Sequence, residues 1–443
     1  MPGPTVESVD SSPRLPEKAD VVVIGGGIIG TSTALELAER GYKVVLCEKG
    51  IIAGEQSSRN WGWVRLSGRD PREIDLMAVS IRIWETLGER VGHDVGYRQC
   101  GIVTPFYSQA IREENIAWLD AIKGSQHRVG VIDSGNVAEL LPQMALGCDG
   151  ALYSPTDGRA EPQKAAPSIA RAARAKGASI LTSCAVRRIE RAAGKVCGVV
   201  TERGMIGASV VVVAGGVWSR LLLRDVGIVL PQLKVLNSVL RTEPLERGPR
   251  VTVRGPDFSV RRREDGGYTV STLATNRYDL APDSFRFFMQ FIPALRKNHS
   301  SLSLRLGKRF LQEWRDMKRV GPDQPSPYER TRILDPEPDV KMLDTALARL
   351  ADAFPVFHAA RIAQCWGGLI DVTPDAVPVV STVESLPGLV IATGFSGHGF
   401  GIGPGAGRLA ADLATGARSI VNPVPFRFSR FSDGSEITPL AGI

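Results

Sequence analysis

Residues 19–50, ADVVVIGGGIIGTSTALELAERGYKVVLCEKG, constrain the fold more than any other part of the chain. Four apolar residues, Val21–Ile24, suit a short strand buried on both faces. The run ends on Gly25, Gly27 and Gly30, at G-x-G-x-x-G spacing. A helix follows, with Gly30, Ala34, Leu37 and Ala38 on one face and Gly41 as its stop. A second apolar run, Val44–Cys47, ends at Glu48. Strand, tight turn, helix, strand and terminal acid form the unit that holds the adenosine half of a dinucleotide. Gly25 permits the turn, Gly27 lets backbone approach a pyrophosphate, and Gly30 lets helix and strand close up. The helix start at Ile28 and Ile29 offers free N–H groups and a positive dipole end to phosphates. Glu48 accepts from the ribose hydroxyls and disfavours a 2′-phosphate, so NADP fits least; NAD and FAD remain open.

At 443 residues the chain has room for two or three domains. The leader, residues 1–18, holds Pro2, Pro4, Pro13 and Pro16 with mixed charges and no apolar centre, and is expected to be disordered. No apolar run reaches membrane-spanning length. The six cysteines show no C-x-x-C spacing, which argues against a metal site or a redox pair and for a cytoplasmic chain with reduced thiols. Net charge is +7, and residues 241–332 hold 19 Lys/Arg against 11 Asp/Glu, an excess of 8. Such a segment draws anionic substrates or docks an acidic partner or nucleic acid, or is simply a solvated basic face.

Past Glu48, the loop of residues 54–65 (GEQSSRNWGWVR) supplies hydroxyls, amides and a guanidinium suited to the rest of a long cofactor. Leu76, Val79, Ile83 and Leu87 recur at helical spacing. A second buried strand near residues 209–214 runs into Gly215, Gly216 and Trp218, again the edge of a ligand crevice. From residue 231 short β-rich pieces alternate with turns, which predicts an antiparallel-sheet domain inserted into the first. Helices are expected over residues 283–297 and 339–354. The glycine-rich stretch 393–407 leads into a last helix, with Pro404 in its first turn. So many glycines predict backbone packed against a flat or extended object. His398 is given no base role. The expected division is a leader over 1–18, a discontinuous nucleotide-binding domain over 19–97, 150–230 and 361–425, a substrate domain over 98–149 and 231–360, and a tail over 426–443.

Taken together, Gly25-x-Gly27-x-x-Gly30 with Glu48, Ser57-Ser58-Arg59, residues 212–219 (VVAGGVWS), Thr373-Pro374-Asp375 and residues 392–400 (ATGFSGHGF) resemble the D-amino-acid oxidase superfamily of FAD enzymes. Residues 52–59 and the insert through residues 326–329 look most like its L-amino-acid deaminase branch. The resemblance implies a Rossmann-like FAD-binding domain of glutathione-reductase-2 type, with FAD lying extended and its ring between the domains. It implies oxidation of the C–N bond of an amino acid or N-substituted amino acid, with oxygen, a quinone or a carrier protein taking the electrons. It places FAD contacts at Gly25, Gly27, Ile28, Ile29, Gly30, Glu48 and Lys49, at Gln56, Ser57, Ser58 and Arg59, at Val186, Ala214, Gly215 and Trp218, and at Gly394, Gly397, His398, Gly399, Phe400 and Gly401. Arg65 falls where the sarcosine-oxidase branch sets an arginine on the substrate carboxylate. The lysine that completes that clamp is replaced by Gly401, and Arg277 is the expected substitute from the other domain. Cys365 lies near where some relatives attach flavin covalently. Two other readings stand beside this one. The chain would be a flavoprotein subunit of a multi-component dehydrogenase, or an FAD-binding assembly or RNA-modifying factor, the latter resting on the basic segment alone.

Overall fold

The computed structural model describes residues 3–124, 127–272, 276–298, 302–318, 321 and 324–439. Its first layer is a six-stranded sheet in the order Val379–Thr382, Leu389–Thr393, Val210–Val213, Val21–Ile24, Val44–Cys47, Ser179–Leu181. All neighbours are parallel except the Val379–Thr382 edge. Alternation of side chains along a strand explains why both faces are apolar. Val21 and Val23 point into a core shared with the helices Ile28–Glu39, Pro162–Ala175 and Gly399–Thr415. Val22 and Ile24 point the other way, onto a three-stranded meander of Val186–Ala192, Lys195–Thr201 and Gly204–Gly207.

The second layer is a ten-stranded sheet built around Leu233–Thr242, which pairs along its whole length with Ile362–Val372. It is antiparallel except where Thr252–Arg254 meets Ile102–Pro105 and where Asn276–Asp279 meets Leu302–Arg305. Residues 361–369, expected in the first domain, therefore run inside this sheet. Near the end of their strand the Asp371 carboxylate accepts from Gln56 Nε2 (2.9 Å) and from the Gly394 amide (2.7 Å), so one strand carries the chain between the two layers.

Three further expectations change. The leader is held in place rather than disordered: the Glu7 amide donates to Gln163 O (3.1 Å), the Ser12 amide to Ile180 O (2.6 Å), and Val6 and Val9 pack on the first core. The helix expected over residues 283–297 divides into Pro282–Arg286 and Phe288–Asn298, with Phe287 buried at the break. The last helix begins at Gly399, so Pro404 lies inside it and not in its first turn. Its missing N–H leaves the ladder short by one bond. Here the helix Ile74–Val91 contributes bonds of its own: Ser80 Oγ and Trp84 Nε1 donate to Gly401 O (2.7 and 2.8 Å), and the Gly405 amide donates to Ser80 Oγ (3.1 Å).

The glycines of this helix serve two purposes. Gly399 and Gly401 line a cavity. Gly403 and Gly407 let the helix press against Ile28–Glu39, since a Cβ on Gly407 would lie 2.4 Å from Ser32 Cβ and one on Gly403 2.7 Å from Ile28 Cγ1. Gly407→Ala is accordingly expected to destabilise the protein by about 1–3 kcal/mol through overpacking. Urea unfolding measures this, and an unchanged midpoint would mean the two helices can part without cost.

Candidate active site at the domain seam

The strand Val21–Ile24 delivers the chain to Gly25 at φ +110°, where a Cβ would stand 2.4 Å from Ala214 O. Only glycine tolerates that backbone and that approach. A Cβ on Gly30 would stand 2.0 Å from Gly25 O, so Gly30 closes the helix on the turn and stays outside the cavity. Glu48 braces the turn: Oε2 accepts from the Gly26 amide and Oε1 from the Gly50 amide, both at 2.7 Å. Burial raises the Glu48 pKa, and these two amides oppose the shift. Each oxygen keeps a lone pair for a hydroxyl.

A cavity of about 330 Å3 begins at this turn and ends between the two sheets. Gly25, Gly27, Ile28, Ile29 and Glu48 line its first part, and Gln56, Ser57, Val186, Ala214, Gly215 and Trp218 its middle. Gly397, His398, Gly399, Phe400 and Gly401 line the far part together with Arg65. Ser57 Oγ accepts from the Ile28 amide (2.8 Å). Lys49 and Arg59 reach the wall but are already engaged. Lys49 Nζ donates to Glu55 Oε1 (2.5 Å) and to the Thr331 and Arg332 carbonyls, and Arg59 Nη1 to Asp335 Oδ1 (2.5 Å) and Gly367 O (2.9 Å). Ser58 and Gly394 stand behind the wall. Ser58 Oγ is bonded to Glu55 O, and the Gly394 amide to Asp371.

Arg277 is not brought to this cavity. It pairs across from Leu236 and its guanidinium lies 3.5 Å from Asp279, outside the lining. The second arginine at the seam is Arg254, at the end of Thr252–Arg254, which sequence reasoning missed. Nη1 of Arg65 and Nη1 of Arg254 fall 3.1 and 3.3 Å from one point, the place a Cβ on Gly68 would take. Arg69 lies beside them and is 3% exposed, with Nε on Arg65 O (3.2 Å), Nη2 on His398 O (3.4 Å) and Nη1 without a partner among the described residues. Trp61 and Trp63 complete this end, packed edge to face at 5.3 Å with the Arg65 guanidinium 5.9 Å from the Trp63 ring. Cys365 lies in the core under the second sheet, away from the lining, its thiol pKa raised by burial.

Burial and the neighbouring Arg69 and Arg65 push the His398 pKa well below its ordinary value. Its Nδ1 lies 3.5 Å from Glu73 Oε1, a distance that alone would suggest an ion pair. Burial holds the Glu73 carboxyl at about 8 even with Arg69 and Arg65 opposing it, so near pH 7 the two form a neutral pair. A carboxyl whose pKa is higher in the folded chain than unfolded (about 4.3) costs stability as pH rises, because the unfolded chain ionises first. Stability is therefore expected to fall between pH about 4.3 and about 8, and Glu73→Gln to flatten that slope. Thermal midpoints across this range measure it; an unchanged slope in the variant would show that Glu73 is ionised throughout.

The geometry fits FAD. The turn amides face the cavity, Glu48 is fixed with acceptor capacity to spare, and the cation beside it, Lys49, is tied to Glu55 rather than free for a 2′-phosphate. A parallel sheet that ends in a glycine turn, roofed by an inserted sheet with guanidinium groups at the joint, defines a two-domain dinucleotide-dependent oxidoreductase. The family described as "DAO: FAD dependent oxidoreductase" matches residues 20–413, and the chain belongs to that family of FAD-dependent flavoproteins. It is similar to sarcosine oxidase subunit beta of Arthrobacter sp, 25% identical over 96% of this chain and 94% of that one. It is also similar to glycine oxidase of Pseudomonas putida, 24% identical over 92% and 97%. Among solved structures, L-amino acid deaminase from Proteus myxofaciens in complex with anthranilate superposes with TM-score 0.92 at 33% identity, covering 97% of each chain. The Proteus vulgaris L-amino acid deaminase gives 0.90 at 31%, covering 97% of this chain and 100% of that one.

Proposed function

We propose that the chain oxidises the C–N bond of an amino acid or N-substituted amino acid, giving an imine that water hydrolyses to an oxo acid or aldehyde and ammonia or an amine. The observation that carries this reading is the placement of Arg65, unpaired by any acid among the described residues, at the seam end of the FAD-binding cavity. The names of the relatives and structural neighbours agree with it. Bound FAD supplies the two-electron acceptor for the hydrogen on the carbon that bears nitrogen.

The residues of the chain do the rest. Arg65 takes the substrate carboxylate through paired N–H bonds and so fixes which carbon faces the cofactor. The wall of Trp61, Trp63 and the buried neutral His398 keeps the site dry, which favours the uncharged amine needed for oxidation. The first turn of the Gly399–Thr415 helix brings its positive end to the same cavity, where it stabilises negative charge. Anaerobic mixing of the holoprotein with D-, L- and N-methyl amino acids tests the reading. One class is expected to bleach the flavin band, and none doing so would overturn it.

The electron acceptor is a quinone or carrier protein under a second reading, that of a dehydrogenase subunit. Phe285, Phe288, Met289, Leu306, Leu311 and Trp314 are all more than half exposed and lie among basic residues of the insert, an unusual apolar patch that supports it. Faster turnover with an artificial acceptor than with oxygen is the expected sign. Many of the other basic residues of segment 241–332 are in ion pairs, such as Arg261 with Glu161, Arg309 with Glu313 and Arg332 with Glu202, which weakens the nucleic-acid reading. Among the described residues no helix is long and apolar enough to cross a membrane, and free thiols at all six cysteines support a reducing, cytoplasmic setting.

A further inference from the structure

The seam end of the cavity holds more positive charge than one carboxylate satisfies. Arg65, Arg69 and Arg254 gather there, and among the described residues none has an acid within ion-pair distance. The acids that face them do not compensate. Glu73 is buried beside His398, and among the described residues neither of its oxygens has a hydrogen-bond partner. Asp157 is taken up by the Leu66 and Ser67 amides (2.8 and 3.1 Å) and by Ser67 Oγ (2.6 Å). Glu114 acts on Arg254 only from a distance. Arg69 is held by two carbonyls and Arg65 Nη1 donates to Ser67 O, so Arg254 is the one guanidinium of the three with no acceptor among the described residues. Arg65 follows the short strand Trp63–Val64 and Arg254 ends Thr252–Arg254, and their Nη1 atoms come together beside Gly68 with both side chains lining the cavity.

Guanidinium groups removed from water without a carboxylate are costly, and the cost falls when a ligand brings the missing anions. A single α-carboxylate engages one guanidinium fork. The other fork then lacks an anion. We infer that the substrate carries a second acidic group, bound by Arg254 while Arg65 holds the α-carboxylate. The substrate class is thus the α-amino dicarboxylates and the N-carboxymethyl amino acids. This rests on the C–N oxidation proposed above and narrows it.

Two measurements on the holoprotein test it. The first compares kcat/KM for aspartate, glutamate and iminodiacetate with that for alanine, leucine and sarcosine, using both enantiomers where they exist. Acidic substrates are expected to lead, and R254Q to lower the acidic-to-neutral ratio by about 100-fold, as for loss of one partner from a buried charge pair. R254K is expected to recover only part of that ratio, having charge without the planar fork. The second titrates the flavin spectrum with succinate and with propionate, neither of which has a C–N bond. Succinate is expected to bind more tightly, and R254Q to abolish the difference. R254M serves for both measurements if R254Q does not fold.

Neutral amino acids turning over as well as acidic ones would overturn the inference and leave the proposed reaction standing. So would an acidic preference that survives R254Q, or R254M where it stands in. If no amino acid of either class reduces the flavin, the proposed reaction falls, and the succinate-to-propionate ratio alone decides the second anion site. Equal affinity for the two acids rejects that site, and a succinate preference lost in R254Q upholds it.

Discussion

Arg65→Gln is expected to lower kcat/KM for the amino acid substrate by about 100- to 1,000-fold, mostly through KM. Removing one member of a buried, hydrogen-bonded charge pair costs about 2–5 kcal/mol, and each 1.4 kcal/mol is tenfold. The loss should fall on substrate binding and spare the cofactor, because Arg65 lies at the seam end of the cavity and Glu48 with the glycine turn at the other. Arg65→Lys should recover little, since an ammonium cannot form the two parallel bonds. Steady-state kinetics beside flavin content per chain separates the two effects. Unchanged kcat/KM in a fully loaded variant would mean that the carboxylate binds elsewhere.

The second large effect is expected at Glu161. Its carboxylate, just ahead of the Pro162–Ala175 helix of the first layer, accepts from Arg261 Nη1 (2.8 Å) and Nη2 (3.2 Å) of the second layer and from the Glu264 amide (3.1 Å). Arg261 is 1% exposed and also donates to Trp61 O. Breaking one partner of such a pair leaves a buried charge alone, so Glu161→Gln should cost about 3–5 kcal/mol, while an apolar replacement of both should recover most of it. Burial raises the Glu161 pKa, but Arg261 outweighs it and holds the carboxyl at about 2. A carboxyl lower in the folded chain than unfolded (about 4.3) gives its stabilisation above the unfolded value. That stabilisation is lost as pH falls from about 4.3 through about 2. Denaturant midpoints at neutral pH and acid titration of both proteins measure it, and a single variant as stable as the parent would show that the two layers do not depend on this pair.

What could be read from the sequence was what neighbouring residues determine. Val21–Ile24, Val44–Cys47 and Val210–Val213 emerge as buried strands because a strand covered on both faces needs only a short apolar run. The glycine turn and Glu48 meet because sequence spacing alone brings them together. Arg254 was out of reach for the opposite reason. It arrives at the cavity because Thr252 pairs with Ile102, 150 positions earlier, a parallel junction that no local pattern announces. Arg277 was expected in its stead, but the pairing of its strand with Leu236 sets it against Asp279. No local pattern in residues 67–75 (SGRDPREID) singles out Arg69 and Glu73, and only their burial beside His398 gives them chemical meaning.

The leader now has a purpose beyond order. Ser179–Leu181 is one edge strand of the six, and residues 11 and 12 cover its open side: the Ser12 amide bonds Ile180 O, Ser12 Oγ accepts from the Ile180 amide (3.0 Å), and Ser11 Oγ from the Thr182 amide (3.2 Å). An uncovered rim of this kind is a template for pairing with other chains. A chain trimmed to begin at Ala19 would keep its whole cofactor turn and still be expected to self-associate and precipitate, sheet edge to sheet edge.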